Sequence, residues 1–379
     1  MEQQQRIEIL QKLIQIDTTN GNEAAAAHYL ASVFSDFGIA SEQLHYSDER
    51  ANLIVEVGSG AKTLGFSGHL DVVSAGNHED WTYPPFSATH TEGKIYGRGA
   101  TDMKAGLAAA VIAMIELNQD PTFTGKLKLL ATVGEEIGLL GARQLTEQGY
   151  VQDLDAMIIG EPTQNTIVFA HKGVFSYRVE SRGVSAHSSV PELGKNAIDK
   201  LIAFYINLQA ELGKITAENS VLGAFVHNTS IIEGGTQINS VPDYAHLIGN
   251  VRTIPEFDNE QIEQLLRDVI VKMNDHDPDS DLRLVVTQSS YPMFSQPDAE
   301  LVKIAQSVGK AIIGQEIPCI GISGGTDACE FTRGNPQMPI IIFGPGNETP
   351  HMVDEYVEVA NYLQMIDVYK AIAKQFFAV

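Results

Sequence analysis

The chain has 379 residues, of which 48 are acidic and 25 basic, giving a net charge of −23. So acidic a protein is a poor partner for nucleic acid or anionic membrane, which both need a basic surface. An apolar content of 44% over this length is enough for two domains with proper cores. The cysteines, Cys319 and Cys329, have neither CxxC spacing nor disulfide-rich surroundings, so no disulfide framework is expected and a reducing compartment is.

Near the N-terminus, Ile7, Leu10, Leu13 and Ile14 fall at helical spacing. They predict an amphipathic helix rather than a signal peptide, since no continuous apolar run is present. No later segment approaches the roughly 18 apolar residues of a membrane span, so a cytoplasmic protein is expected. The polar turn from Asp17 to Glu23 leads into a second helix, with Asn20 or Asn22 as its cap and Ala27, Leu30, Phe34 and Phe37 facing inward. Strands are predicted over residues 52–57 and 63–68. His69 and Asp71 fall at the C-terminal end of the second. Strand side chains alternate faces, so these two point the same way, and Asp71 can accept the imidazole N–H that a metal-bound His69 leaves free.

Trp81, Tyr83, Pro84, Pro85 and Phe86 then form a proline-braced loop, either ordinary packing or one wall of a substrate cleft. His78 and His90 in the same region read as surface residues. The GRGA turn at 97–100 places Asp102 just ahead of a strongly helical segment, KAGLAAAVIAMI. A strand over 126–133 leads to Glu135 and Glu136, and one over 155–159 leads to Glu161. A late strand over 339–343 leads to His351 in the loop GPGNETPH. Carboxylates and imidazoles at the carboxyl ends of successive strands are where an α/β sheet places its site. A His and carboxylate set without Cys suits zinc, cobalt or manganese rather than a structural zinc or an iron–sulfur cluster. Asp102, Glu136 and Glu161 with one bridging hydroxide would neutralise two divalent cations. Glu135 stays outside that set. Adjacent residues at a strand end point in different directions, so Glu136 can bind metal while Glu135 meets the bridging water as a general base.

From about Val174 the rhythm becomes strand, helix, strand, strand, helix, strand, the split pattern of a ferredoxin-like domain. It occupies 175–291 as an insert between the two parts of a catalytic domain, 1–174 and 292–379. Within it, His187 lies on a loop between strand and helix, where it can donate a hydrogen bond to an oxyanion or be a plain surface residue. Arg252 ends a strand; its fork suits a carboxylate, and a surface salt bridge would account for it equally. The segment GISGGTDA at 321–328 lacks both the lysine of a phosphate-binding loop and GxGxxG spacing, which rejects nucleotide binding.

The motifs GHLDVV, GRGATDMKAG, TVGEEIG, IIGEP and GVSAHSSVP, with the late His351, resemble the dizinc amidohydrolase and peptidase family of acetylornithine deacetylase, succinyl-diaminopimelate desuccinylase, aminoacylase and carboxypeptidase G. The match runs in order over nearly the whole chain. The resemblance implies an α/β catalytic domain whose mixed central sheet is flanked by helices, and a ferredoxin-like lid that also dimerises. It implies that Asp102 bridges two metals, zinc foremost, with His69 and Glu161 on one and Glu136 and His351 on the other. Glu135 would be the base, and the Asp102–Met103 peptide would be cis. It implies further that His187 enters the neighbouring subunit's site in a homodimer. Arg252, Asn239, Gly325 and Thr326 would hold the substrate, and Asp327 would brace its loop. Succinyl-diaminopimelate desuccinylation suits this length and lid. Gly134 stands where desuccinylases carry Asp, however, and GGTDA departs from their loop. A dipeptidase or acetylornithine deacetylase is therefore the alternative. A non-catalytic metal-dependent binding protein would have no need of Glu135.

Overall fold

The computed structural model describes residues 1–378. In chain order its main elements are α1 (Gln3–Gln15), α2 (Glu23–Ser35), β1 (Ser41–Ser47), β2 (Arg50–Gly58), β3 (Thr63–His69), α3 (Ala105–Gln119), β4 (Lys126–Thr132), α4 (Leu140–Glu147), β5 (Ala156–Pro162) and β6 (Ile167–His171). They continue as β7 (Gly173–Arg182), α5 (Ala197–Leu212), β8 (Val226–Gly234), β9 (Tyr244–Thr253), α6 (Asn259–His276), β10 (Leu282–Ser290), α7 (Glu300–Ile313), α8 (Ala328–Gly334), β11 (Ile340–Gly344) and α9 (Val359–Phe377). The chain divides into two compact units, one of residues 1–170, 294–321 and 326–379, the other of 171–293 with 322–325.

The first unit is built on a mixed sheet in the order β1-β2-β4-β3-β5-β11-β6. Its four central strands, β4, β3, β5 and β11, run parallel. β1, β2 and β6 pair antiparallel at the flanks. Every residue of β3 is buried, the expected state of a parallel strand covered on both faces, which is why its sequence shows an apolar run instead of alternation. Register then decides what meets at the strand ends. His69 lies opposite Thr132, and Ser67 opposite Ile159, so two residues on His69 is level with Glu161.

α3 has no polar face over Ala105–Ile115, and all of those residues are buried. A helix apolar all round belongs inside a core, and α3 packs on the sheet and against α9. Its approach depends on missing side chains. A Cβ on Gly106 would fall 1.8 Å from the Gly160 carbonyl oxygen, and one on Gly344 would fall 2.1 Å from the same atom. Three glycines thus let the first turn of α3, and Asp102 just ahead of it, lie directly on β5 beside β11.

The N-terminal helix forms as its spacing requires, with Ile7, Leu10, Leu13 and Ile14 buried. The expected cap of α2 does not. Asn22 occupies the cap position at φ 61°, and its side chain donates to the Asp17 carbonyl instead of accepting a helix N–H. A left-handed backbone there turns the amide away from the first turn. Ala27, Leu30 and Phe34 face inward, whereas Phe37 lies past the helix end and is only half-buried.

The second unit follows β7-α5-β8-β9-α6-β10, folded as an antiparallel sheet in the order β8-β9-β7-β10. α5 is capped by Asn196, which accepts from Ile198 and Asp199, and α6 by a reciprocal Asp258–Gln261 box. Along β9, Ala245, Leu247 and Val251 are buried, while His246, Asn250 and Arg252 alternate onto the more open face. β8 is an edge strand and leaves Ile231 and Ile232 exposed.

Gly106→Ala forces the backbones of α3 and β5 apart. Overpacking of this kind costs about 1–3 kcal/mol or more, so thermal melts are expected to show a Tm lower by about 2 °C or more. An unchanged Tm would mean that the crossing does not depend on glycine.

Candidate metal centre

Each inner residue arrives from a different element of the first unit. His69 ends β3, Glu136 follows β4, Glu161 lies in β5, and His351 sits on the loop after β11 at φ 64°. Asp102 belongs to a kinked turn, Ala100–Lys104, that precedes α3, and its peptide bond to Met103 is cis, as the resemblance implies.

Asp102 sits between two groups of donors. Its Oδ1 is 3.1 Å from His69 Nε2, which is itself 3.7 Å from Glu161 Oε2. Its Oδ2 is 3.3 Å from His351 Nε2, which is 2.9 Å from Glu136 Oε1. One carboxylate thus presents one oxygen to each of two half-sites, each holding one imidazole and one glutamate. Ligand atoms of His69, Asp102 and Glu136 also lie within 4.8 Å of one another. This donor set and spacing fit two divalent cations with His and carboxylate ligands.

The expected role of Asp71 is corrected. His69 Nδ1–H donates to the main-chain carbonyl of Asp71 at 2.9 Å, and the Asp71 carboxylate is 3.7 Å away. Past the end of β3 strict strand alternation no longer applies, and the Asp71 carboxylate turns to accept the N–H groups of Glu135 and Glu136 at 3.1 and 3.2 Å. The imidazole is oriented all the same, because a donating Nδ1 leaves Nε2 with a free lone pair for a metal.

A second anchor was not visible in the sequence. The three-residue strand Tyr356–Glu358 pairs with Lys94–Tyr96, which delivers the buried Glu355 to the turn ahead of Asp102. Glu355 accepts the N–H groups of Gly99, Thr101 and Asp102 at 3.1, 2.9 and 2.9 Å. It also pairs with the buried Arg98, which donates to the carbonyls of Ser74 and His351. Trp81 is a packing residue: it is buried, donates to the Ala75 carbonyl, and lies with the Arg98 guanidinium 5.2 Å from its ring. Asp327 accepts from Thr132 Oγ1 at 2.6 Å and so ties α8 to the end of β4.

Burial pushes Glu161 up to about 8, with Asp102 and Asp327 adding to the effect against the opposing charge of His69. Burial likewise raises Glu135 well above the usual carboxylate range, helped by Glu161, Asp327 and Glu136. His351, hydrogen-bonded to Asp102, is raised to about 9. Burial works against a charged His69, but Glu161 and Asp102 still lift it well above an ordinary imidazole. The metal-free cluster therefore gathers protons where cations would neutralise the same charge.

The remaining predicted residues lie in the second unit, Thr326 excepted. His187 is exposed, and its Nδ1 accepts the Ser189 N–H at 3.1 Å, which leaves the proton on Nε2. The loop carrying it is paired with the loop carrying Asn239, through a bridge between His187 and Ser240 and the Ser188 N–H to Asn239 carbonyl bond of 3.0 Å. Arg252 stands at the far end of β9 from that loop, eight strand steps from Tyr244, or roughly 26 Å. Gly325 is exposed, and the Thr326 hydroxyl accepts the Ala328 N–H.

A mixed sheet whose parallel strand ends converge on paired His and carboxylate half-sites defines a metal-dependent hydrolase. The chain matches the family model "Peptidase family M20/M25/M40" over residues 65–375 and belongs to that family, whose members cut amide bonds. It is 39% identical to a Staphylococcus aureus protein described as a probable succinyl-diaminopimelate desuccinylase, over 99% of this chain and 98% of that one. It is 28% identical to a succinyl-diaminopimelate desuccinylase of Wolbachia pipientis, over 98% and 93%. The fold matches an M20 family metallo-carboxypeptidase from Sulfolobus solfataricus with a TM-score of 0.80, at 19% identity over all of both chains.

The pH dependence of the metal-free protein follows from the shifted groups. His351 is raised from 6.5 to about 9, so the stability it contributes is complete below pH 6.5 and is lost as pH rises through 9. Glu161 is raised from 4.5 to about 8, so the fold holds a proton that the unfolded chain has released, and stability again falls as pH rises to 8. Thermal melts of the metal-free protein are expected to show Tm falling as pH rises from about 4.5 to 9, and saturating zinc should abolish the fall. A flat metal-free profile would contradict this account of the cluster.

Proposed function

We propose that this chain removes the succinyl group from N-succinyl-diaminopimelate, releasing succinate and the free amine. The observation that carries the reading is the full-length 39% identity to the Staphylococcus aureus relative, joined to a centre with two matched half-sites. One departure is explained by packing. Gly134 has φ 63°, and a Cβ there would fall 2.8 Å from Leu140 Cδ1 and 3.2 Å from Arg50 Nη2. Glycine answers the local backbone, so its presence does not argue for a dipeptide substrate.

Two divalent cations, zinc first with cobalt or manganese as substitutes, would be held by His69, Glu161 and Asp102 and by His351, Glu136 and Asp102. They would supply Lewis acidity toward the amide carbonyl and acidify a water. Glu135 takes the proton from the attacking water and returns it to the departing nitrogen as the C–N bond breaks. His187, with its proton on Nε2, donates to the developing oxyanion. Asn239, Gly325, Thr326 and Arg252 bind the substrate. Arg252 forms no ion pair among the described residues, which leaves its fork for a substrate carboxylate.

A homodimer accounts for the spacing within the second unit, which serves as lid and dimerisation domain. About 26 Å of strand separates Arg252 from the His187 and Asn239 loops, too far for both ends to serve one small substrate from the same chain. The exposed edge β8, with Ile231 and Ile232, and the exposed Ile202, Tyr205 and Ile206 of α5 suit burial against a second copy. The acidic charge and the free Cys319 and Cys329 suit the cytoplasm, and no described helix is long and apolar enough to cross a membrane.

Amine release by the zinc-loaded protein is to be measured on N-succinyl-diaminopimelate, N-acetylornithine and a dipeptide panel. The succinyl compound is expected to give the highest kcat/KM, and preference for a dipeptide would overturn the substrate assignment. Glu135→Gln should lower kcat by at least about 100-fold with zinc still bound. Mixing that variant with His187→Ala should restore about a quarter of wild-type activity if dimers form at random and His187 acts in the partner's site. No recovery on mixing would place His187 in its own chain's site.

A further inference from the structure

The turn that carries Glu135 and Glu136 is held by side chains from three other segments. Four consecutive N–H groups are accepted in order: Val133 by Asn52 Oδ1 at 2.9 Å, Gly134 by Glu23 Oε1 at 3.2 Å, and Glu135 and Glu136 by the two oxygens of Asp71. Gly134 is the soft point of this turn, a glycine at φ 63° with wide backbone freedom. Its N–H has Glu23 as its acceptor.

Glu23 is fully buried at the start of α2. Arg50, the first residue of β2, grips both of its oxygens, with Nε at 3.1 and 2.9 Å and Nη2 on Oε1. The same guanidinium lies against Gly134, since a Cβ there would sit 3.2 Å from Nη2. A buried ion pair adds little net stability, because desolvation offsets the attraction. Its effect here is directional: it fixes one carboxylate oxygen where the Gly134 N–H must point. Neither side chain contacts the half-site residues through any described hydrogen bond or ion pair, and no step of the hydrolysis uses them.

We infer that Glu23 and Arg50 are positioning residues for Glu135, setting the direction of its carboxylate through the Gly134 peptide. The inference rests on the reading of Glu135 as the general base. Without Glu23 the peptide loses its acceptor and the turn can rotate about Gly134. Asp71 still holds the two N–H groups that follow, so the centre stays assembled while the base goes out of line. Misplacement of about 1 Å at a reacting group can cost about 100-fold in rate. The substrate contacts lie elsewhere, so the loss falls on kcat and not on KM.

The test uses the full zinc-loaded chain and whichever panel substrate it turns over fastest. Glu23→Leu, which removes the acceptor of the Gly134 N–H, is made alone and together with Arg50→Leu, the pair leaving no stranded buried ion. Glu23→Asp, which keeps the charge but shortens the reach to Gly134, serves if neither folds. Each variant is assayed for kcat, KM, Tm and bound zinc, in the wild-type and Glu135→Gln backgrounds. The expected result is a kcat lower by about 10–100-fold with KM and zinc content unchanged, and no further loss in the Glu135→Gln background, because the effect passes through that one side chain. A folded, zinc-loaded variant with wild-type kcat overturns the proposal, as does an equal loss in both backgrounds. Glu135→Gln retaining full kcat overturns the general-base reading and the inference with it. That failure is recognisable because it occurs with Glu23 and Arg50 intact.

Discussion

Mutual repulsion among crowded carboxylates governs how this structure is built. The half-buried Asp102, Glu135, Glu136 and Glu161 and the buried Asp327 crowd around the buried His69 and the exposed His351, and like charges so placed cannot all stay ionised without compensation. The fold divides its donors accordingly. Outer acids take backbone N–H groups: two go to Asp71, three to Glu355 and one to Glu23. Among the described residues, the side chains of Asp102, Glu136 and Glu161 form ion pairs only with His69 and His351. The inner oxygens are thereby left for cations, and the outer ones hold the loops that carry them.

The placement of the centre follows from the sheet. Parallel strands align their carboxyl ends, so β3, β4, β5 and β11 bring four loops to one edge. The bridging position requires a fifth contributor, and it comes from the approach of α3 to β5. Gly106, Gly160 and Gly344 allow that approach, and Glu355 fixes the turn that results. A loss of packing at the glycines and a loss of hydrogen bonding at Glu355 would displace the same carboxylate. Backbone geometry and metal chemistry are coupled at Asp102.

Much of this was legible in the sequence because the inner residues obey local rules. Each follows an apolar strand or precedes a helix within a few residues, and the order of motifs carried the family. The antiparallel second unit was legible for the same reason, since its strands alternate and its helices have apolar faces. What local patterns could not reach is long-range. Arg98 and Glu355 are 257 positions apart, and Glu23 and Arg50 are 27 apart. All four look like surface charges until tertiary structure buries them. Asp71 shows the limit of alternation, which predicts direction only while the strand lasts. Asn22 shows the limit of cap preference, which a left-handed φ overrides. The strand at 41–47 escaped notice because it is an exposed edge with no apolar face.

If Asp102 joins the two half-sites as a shared metal ligand, anomalous scattering from zinc-soaked crystals will show two peaks about 3.5–4 Å apart, one in contact with His69, Glu161 and Asp102, the other with His351, Glu136 and Asp102. A single peak, or two peaks of which either fails to touch Asp102, would rule out the shared carboxylate.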